Sequence, residues 1–419
     1  MRVPALVLVA GFAMCAPAAV GAEQPESGSF TLTAAVAEAL RANPDLVALR
    51  RDYDAARAAV PGARFLDAPM LETQVWGWPV TTLNPTRTDM YMFMAEQELP
   101  GRGKRVAREL VAEREADMSQ RQIAVRANEI VNDVKQAYVE LLLARATAAL
   151  YDQQTPVLRD IADAATLRYA SGHTGQHDTV KSIVELGRLQ SDVVEWHARM
   201  RTAEARLTTL LGRADDEPLP ALAPADLPPL DIFNAETIAL QRHPEVLMAS
   251  AAVAREEAEL ARLRGERKPD FVVGGGYMLQ PGGAGAWTAR AGVSWPNAPW
   301  SRGRLNTEID AQDKIVAAAR AHRDAVVSGV RRSIREATAR LDAARERAQL
   351  LETNVIPHAE HDFDVVRTSY EVGRAGFADL LESQRTLLST RMDVVAARAE
   401  VQRAVADFDM AVANIPENQ

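Results

Sequence analysis

Cysteine is nearly missing from this chain of 419 residues, and the single copy, Cys15, lies in an N-terminal apolar run. That run follows Arg2 and closes on Val20-Gly21-Ala22, the length and small-residue ending of a secretory signal, so residues 1–22 are expected to be removed. The chain that remains from Glu23 has no thiol. Disulfides, thiolate metal centres and thiol nucleophiles are thereby excluded. Lipid attachment at Cys15 is disfavoured because Phe12 and Met14 stand where small residues are needed. Aromatics are scarce at 5%, although hydrophobic residues make up 47%. Much of that apolar fraction is alanine, which suits close helix–helix contact better than a deep core. No apolar run of about 18 residues follows the signal, so any membrane crossing is by strands, not helices. Basic residues do not dominate: 48 Lys and Arg against 57 Asp and Glu leave a net charge of −9, which argues against a nucleic-acid partner. A Ser/His/Asp set, a Walker loop and an HExxH motif are all lacking. Gly101-Arg102-Gly103-Lys104 has no phosphate-loop spacing before it. The expectation is a non-enzyme without cofactor.

What is present is helix of unusual length. From Arg302 to Tyr370 the sequence is rich in Ala, Arg and Glu, with Gly329 and Pro357 as its only breakers after Leu305. It stops at Tyr370-Glu371-Val372-Gly373-Arg374-Ala375-Gly376, where glycines allow a reversal. A second apolar-periodic helix returns from Phe377 to about Val412. The whole unit is written twice, at an offset close to 200 residues. Ala39-Leu40-Arg41-Ala42-Asn43-Pro44 is echoed by Ala239-Leu240-Gln241-Arg242-His243-Pro244, and Arg102-Gly103-Lys104 by Arg302-Gly303-Arg304. With one extra residue in the second copy, Pro156 matches Pro357, Tyr169 matches Tyr370, Gly172 matches Gly373 and Asp178 matches Asp379. The expected divisions are a first repeat over 23–212 with a strand pair in 70–99, a proline-rich linker over 213–230, and a second repeat over 231–419 with a strand pair in 270–296.

Four segments of about nine residues, Leu71–Trp78, Met90–Leu99, Phe271–Leu279 and Trp287–Trp295, have the length of tilted membrane strands. In the second, Tyr91, Phe93, Ala95 and Leu99 share one face, and Met90, Met92, Met94, Glu96 and Glu98 the other. In the fourth, Trp287, Ala289, Ala291, Val293 and Trp295 alternate with Thr288, Arg290, Gly292 and Ser294. A soluble hairpin with one buried face has the same period; the signal and the terminal tryptophans favour a barrel. Four strands cannot close around a lumen, and open edges are not tolerated in lipid, so strands must be pooled between subunits. The simplest closed object is a trimer.

The doubled order, with both tips in register, resembles the TolC-like outer-membrane efflux factors over residues 30 to 413. The residues that carry the resemblance are Leu40–Pro44 and its echo, Glu98-Leu99-Pro100-Gly101-Arg102-Gly103-Lys104, and the tips Arg168-Tyr169-Ala170-Ser171-Gly172 and Ser369-Tyr370-Glu371-Val372-Gly373. The resemblance implies a mainly α fold of long hairpins in a two-fold internal repeat, a trimeric α-barrel and a pooled 12-stranded β-barrel. It implies a passive exit duct in the outer membrane, projecting into the periplasm. A periplasmic adaptor and an inner-membrane pump are the implied partners, with outer-membrane lipid around the barrel. A periplasmic adaptor or coiled-coil spacer, and a secretion channel for peptides, are the competing readings. An adaptor has one hairpin flanked by β-domains, whereas this chain has two.

The same resemblance assigns candidate sites. Asp379 and Glu382 match the acidic positions that line the periplasmic constriction, which three copies would turn into a cation-admitting ring. A solvated acidic helix start is the plain alternative. Tyr370, Arg374 and Asp178 match positions that hold the closed state, and His177 stands where a hydroxyl residue occurs in other members. Gly172 and Gly373 mark the tips where the adaptor docks. His173 with His177, and His358 with His361, have helix-face spacing but no evident third ligand, so no resident metal is expected. The Met90, Met92, Met94 stripe is either soft-ligand chemistry or adaptable filler.

Overall fold

The computed structural model describes residues 29–81, 84, 87–172, 175–214, 219–224 and 235–414. The expected signal with Cys15, the expected start at Glu23, His173 and most of the proline-rich linker lie outside the described residues. Elements follow in the order β1 (Ser29–Phe30), α1 (Leu32–Ala42), α2 (Pro44–Ala59), a 3-10 turn, β2 (Met70–Trp76), β3 (Met90–Leu99), α3 (Lys104–Ala170) and α4 (Gln176–Leu211). After β4 (Ala221–Leu222) come α5 (Ala235–Arg242), α6 (Pro244–Gly265), β5 (Phe271–Leu279), β6 (Ala286–Val293), α7 (Arg302–Leu350), a π turn (Leu351–Val355), α8 (Ile356–Glu371) and α9 (Phe377–Ala411). The fold is mainly α with a small β part. Among the described residues no helix is long and apolar enough to cross a membrane.

Local chemistry sets the helix ends. Thr31 caps α1 by accepting from the Ala34 N–H at 3.2 Å. Asn43 both closes α1 and opens α2, its Oδ1 accepting from the Asp45 N–H at 3.0 Å, with Pro44 at the first helical position where no N–H is missed. The 67 residues of α3 make a rod of about 100 Å. Packing is distributed in seams. Leu141, Leu207 and Leu211 join α3 and α4 to α1, and the Tyr138 hydroxyl sits 2.6 and 2.7 Å from the carbonyls of Phe30 and Ala223. A second seam near the tips gathers Tyr151, Leu158, Leu189, Tyr370, Phe377 and Leu381.

The second rod is not one helix. The repeat offset of 200 at Arg102/Arg302 becomes 201 at Pro156/Pro357, and the π turn Leu351–Val355 lies within that interval. A π turn takes up one residue more than an α turn. Without it, everything beyond would rotate by roughly 100° about the helix axis, and Phe363, Val366 and Tyr370 would leave the seam they now fill.

β2, β3, β5 and β6 form one antiparallel sheet in that order, so the two repeats share it. Met92 pairs with Gln74 on one side and Met278 on the other; Phe93 pairs with Thr73 and Tyr277; Gly274 pairs with Arg290. The register gives one face Leu71, Val75, Tyr91, Phe93, Ala95, Val273, Tyr277, Leu279 and Trp287, and the other Glu72, Gln74, Glu96, Thr288 and Arg290. In β3 and β5 the apolar face is the exposed one: Phe93, Tyr277 and Leu279 are open, while Met92, Met94 and Met278 are half-buried. Two expected strands shift, each starting one residue earlier and ending two residues sooner. β2 ends at Trp76, where Gly77 takes φ +69°, and β6 ends at Val293, leaving Trp78 and Trp295 outside the strands.

The sheet meets the helices at a buried charge cluster. Lys104, the first residue of α3, places Nζ 2.7 Å from Asp270 and 2.9 Å from Glu266, with its side chain 1% exposed. Asp270 also accepts from the Gly101 N–H at 2.7 Å. Burial alone would depress the Lys104 ammonium, but hydrogen bonds to Asp270 and Glu266 outweigh it and leave the group raised. A Cβ on Gly101 would lie 2.4 Å from the Pro269 carbonyl, so the two repeats touch backbone to backbone there.

Candidate channel constriction and hairpin tips

Both hairpins reverse on a glycine in the left-handed region, Gly172 at φ +77° and Gly373 at φ +75°. At the second tip the Gly373 N–H donates to Tyr370 and the Arg374 N–H to Ser369, a Schellman closure of α8. A Cβ on either glycine meets nothing within 4 Å, so these positions are open to a partner and constrained only by φ.

Past the second tip, Asp379 accepts from the Gly376 N–H at 3.0 Å and so caps α9. Its carboxylate and that of Glu382, three residues on, share a helix face and are both exposed. Glu382 lies 3.7 Å from Arg385. Arg385 reaches across to Glu185 on α4, with Nε 3.2 Å from Oε2 and Nη2 against Oε1, and Arg188 joins the same carboxylate at 3.2 Å. Glu185 is 11% exposed, so this network fastens the two return helices at a partly desolvated carboxylate. Sequence spacing shows Glu382 with Arg385 but not Glu185, because the link crosses between helices nearly 200 residues apart in the chain.

Within one chain none of the bonds of the expected clasp is formed. Arg374 and Asp178 make no ion pair with each other, and His177 is exposed. The Tyr370 hydroxyl, expected to bond across the clasp, is buried and has no partner among the described residues. Its ring does the work instead: the Arg168 guanidinium stacks 4.3 Å from the ring centroid and donates to the Tyr370 carbonyl at 3.1 Å, while Phe377 meets the ring edge-on at 6.3 Å. Arg168 therefore ties the first tip to the second, a role its place in the tip sequence alone did not reveal. His358 sets Nδ1 2.6 Å from the Asn354 carbonyl. Among the described residues no three His, Cys, Asp or Glu side chains gather as they would around a metal ion.

The chain thus joins long paired helical hairpins to a small sheet whose apolar face is exposed. Residues 35–213 and 237–413 match the family model for outer membrane efflux proteins, and the chain belongs to that family. It is similar to the cobalt-zinc-cadmium resistance protein CzcC of Cupriavidus metallidurans, with 27% identity over 389 residues, covering 91% of this chain and 90% of that one. Its fold matches a membrane protein from Pseudomonas aeruginosa (TM-score 0.78, 18% identity, 91% and 92% of the two chains). It also matches the outer-membrane channel OprN (TM-score 0.76, 18% identity, 93% of each chain). The chain is an outer-membrane efflux channel.

Proposed function

We infer that three copies of this chain assemble into a passive duct whose sheets close together in the outer membrane and whose hairpins project into the periplasm. The observation that carries this reading is the sheet, four strands with β2 and β6 as open edges and an apolar face turned outward. In lipid an open edge leaves N–H and C=O groups without partners, each costing several kcal/mol. Pooling three such four-stranded sheets removes every edge in one barrel of twelve strands. Exposed Trp76, Trp78, Trp287, Trp295 and Trp300 suit the membrane interface.

The duct performs no chemistry of its own. A periplasmic adaptor docks at the tips around Gly172 and Gly373 and couples them to an inner-membrane pump. Asp379 and Glu382 of three copies put six carboxylates around the constriction, which favours cations. Arg374 of one copy meets Asp178 of its neighbour in the closed state, and the Glu185–Arg385 link keeps each pair of return helices moving as one. The similarity to a cobalt-zinc-cadmium resistance protein supports metal cations as cargo; small organic molecules are the alternative.

Planar-bilayer recording of the trimer tests the reading. D379N/E382Q should lose cation selectivity. R374S should raise the open fraction by roughly ten-fold or more, as expected for loss of a charge-assisted bond worth about 1.5–3 kcal/mol. Unchanged selectivity together with an unchanged open fraction places the gate elsewhere, and a monomer in mild detergent rejects the assembled duct.

A further inference from the structure

The polar face of the sheet holds more sulfur than a water-filled wall needs. Of the 12 methionines in the chain, Met70, Met90, Met92, Met94 and Met278 all fall on this face. The last comes from the other repeat. The strand register makes Met92 and Met278 direct partners, with Met94 opposite Gly276 at the next position on this face, while Met90, two residues before Met92, pairs with Trp76 of β2. Direct partners on one face have Cβ atoms about 4.5–5.5 Å apart and diagonal ones about 7–8 Å. Unbranched thioethers with three rotatable bonds span both distances.

The glycines shape the same patch. A Cβ on Gly276 would lie 2.9 Å from Met94 Cγ, so the Met94 side chain runs across the strand of Met278 and uses the space that glycine leaves. Gly274 opens the next position on the same face, beside Glu96, which is held by Arg290 at 3.1 Å. Filler is the usual role of methionine, but filler needs two packed layers. No helix packs broadly against this sheet among the described residues, yet Met92, Met94 and Met278 are half-buried.

Thioethers are neutral, soft donors that select Cu(I) and its congener Ag(I) over Zn(II) or Mg(II). Glu72, the cross-strand partner of Met94, supplies negative charge beside the sulfurs without competing as a soft ligand. We propose that Met92 and Met278, completed by Met94 or Met90, form a thioether site for a soft monovalent cation, Cu(I) or Ag(I), on the polar face of the sheet. That this face lines the lumen rests on the duct reading; the site itself rests on the strand register.

Silver is the probe. The full-length protein in detergent micelles is titrated with Ag(I), and X-ray absorption reads the metal's neighbours. Wild type should bind Ag(I) with a sulfur shell. The volume-conserving M92L/M278L variant should bind at least about tenfold more weakly while its melting temperature holds. Methionine-methyl NMR of the unmodified protein gives a second readout that needs no variant: Ag(I) should shift the methyls of Met92 and Met278, together with that of Met94 or Met90, before others. Equal silver affinity in wild type and variant, a shell without sulfur, or methyl shifts elsewhere overturns the site. Loss of conductance in a wild-type protein that still binds silver counts against the duct and leaves the site standing.

Discussion

The first half of the chain threads Pro156 through an unbroken α3, whereas the second meets Pro357 just after a π turn and divides its rod into α7 and α8. Other matched positions diverge in the same manner. Lys104 is buried between two carboxylates, while the side chain of Arg304, its counterpart, is 88% exposed and pairs with Glu308, one turn along. Tyr169 is exposed at the first tip and Tyr370 is buried at the second. Gly212 ends α4 at φ +71°, and Ala413, in the same Schellman position after α9, is forced to φ +54°. Duplication therefore preserved the backbone plan while freeing side chains to specialise. The first half supplies the buried lysine at the junction of sheet and helices; the second supplies the buried tyrosine at the tips and the acidic face beyond them.

The largest expected effect breaks the Lys104/Arg304 contrast. K104A leaves Asp270 and Glu266 facing each other without their cation, and removing one partner of a buried ion cluster costs about 3–5 kcal/mol. R304A removes an exposed pair worth no more than about 1 kcal/mol. Denaturant unfolding of both variants in detergent checks this, and similar midpoints would mean the two junctions are equivalent.

A smaller pair of effects concerns Gly212 and Ala413. G212A forces a side chain into the left-handed region and brings Cβ to 2.7 Å from the Ala42 carbonyl, so it should destabilise by more than the roughly 1–2 kcal/mol of backbone strain alone. A413G relieves that strain and should stabilise by about 1 kcal/mol. Opposite shifts in melting temperature are the expected outcome; shifts of the same sign would deny that the two caps are equivalent.

These contrasts mark how far the sequence could be read. The doubled hairpins and the period-two strands were legible because local pattern fixes them: glycine at each tip, alanine-rich helix between, alternation in Met90–Leu99. The extra residue of the second copy was legible as an offset, but its form as a π turn was not, because only packing of Phe363 and Tyr370 decides where a surplus residue is absorbed. Asp379 at an acidic helix start was readable, but its bond to the Gly376 N–H came only with the structure. Glu185 with Arg385, Arg168 over Tyr370, and Met278 beside Met92 were not readable, since each joins segments that only the tertiary fold brings together.

The smallest effect distinguishes the halves by pH. Glu38 on α1 and Arg213 after α4 form a two-pronged ion pair, with Nε to Oε1 at 2.5 Å and Nη2 to Oε2 at 2.7 Å. Their repeat counterparts are Ile238 and Asn414, so the second half cannot form it. The Arg213 hydrogen bond, against the opposing pull of burial, holds the Glu38 carboxyl below its ordinary 4.5. A depressed carboxyl contributes stability that is fully present above the unfolded value and is lost as pH falls through the folded one. Lowering the pH below about 4.5 should therefore loosen the junction of α1 with the end of α4. Amide exchange should rise over 32–42 and 205–213 ahead of 235–242 and 406–413. E38Q should remove the difference by weakening the first junction at neutral pH. If both junctions open together in the wild type, or E38Q leaves the acid response of the first unchanged, this pair does not set the asymmetry.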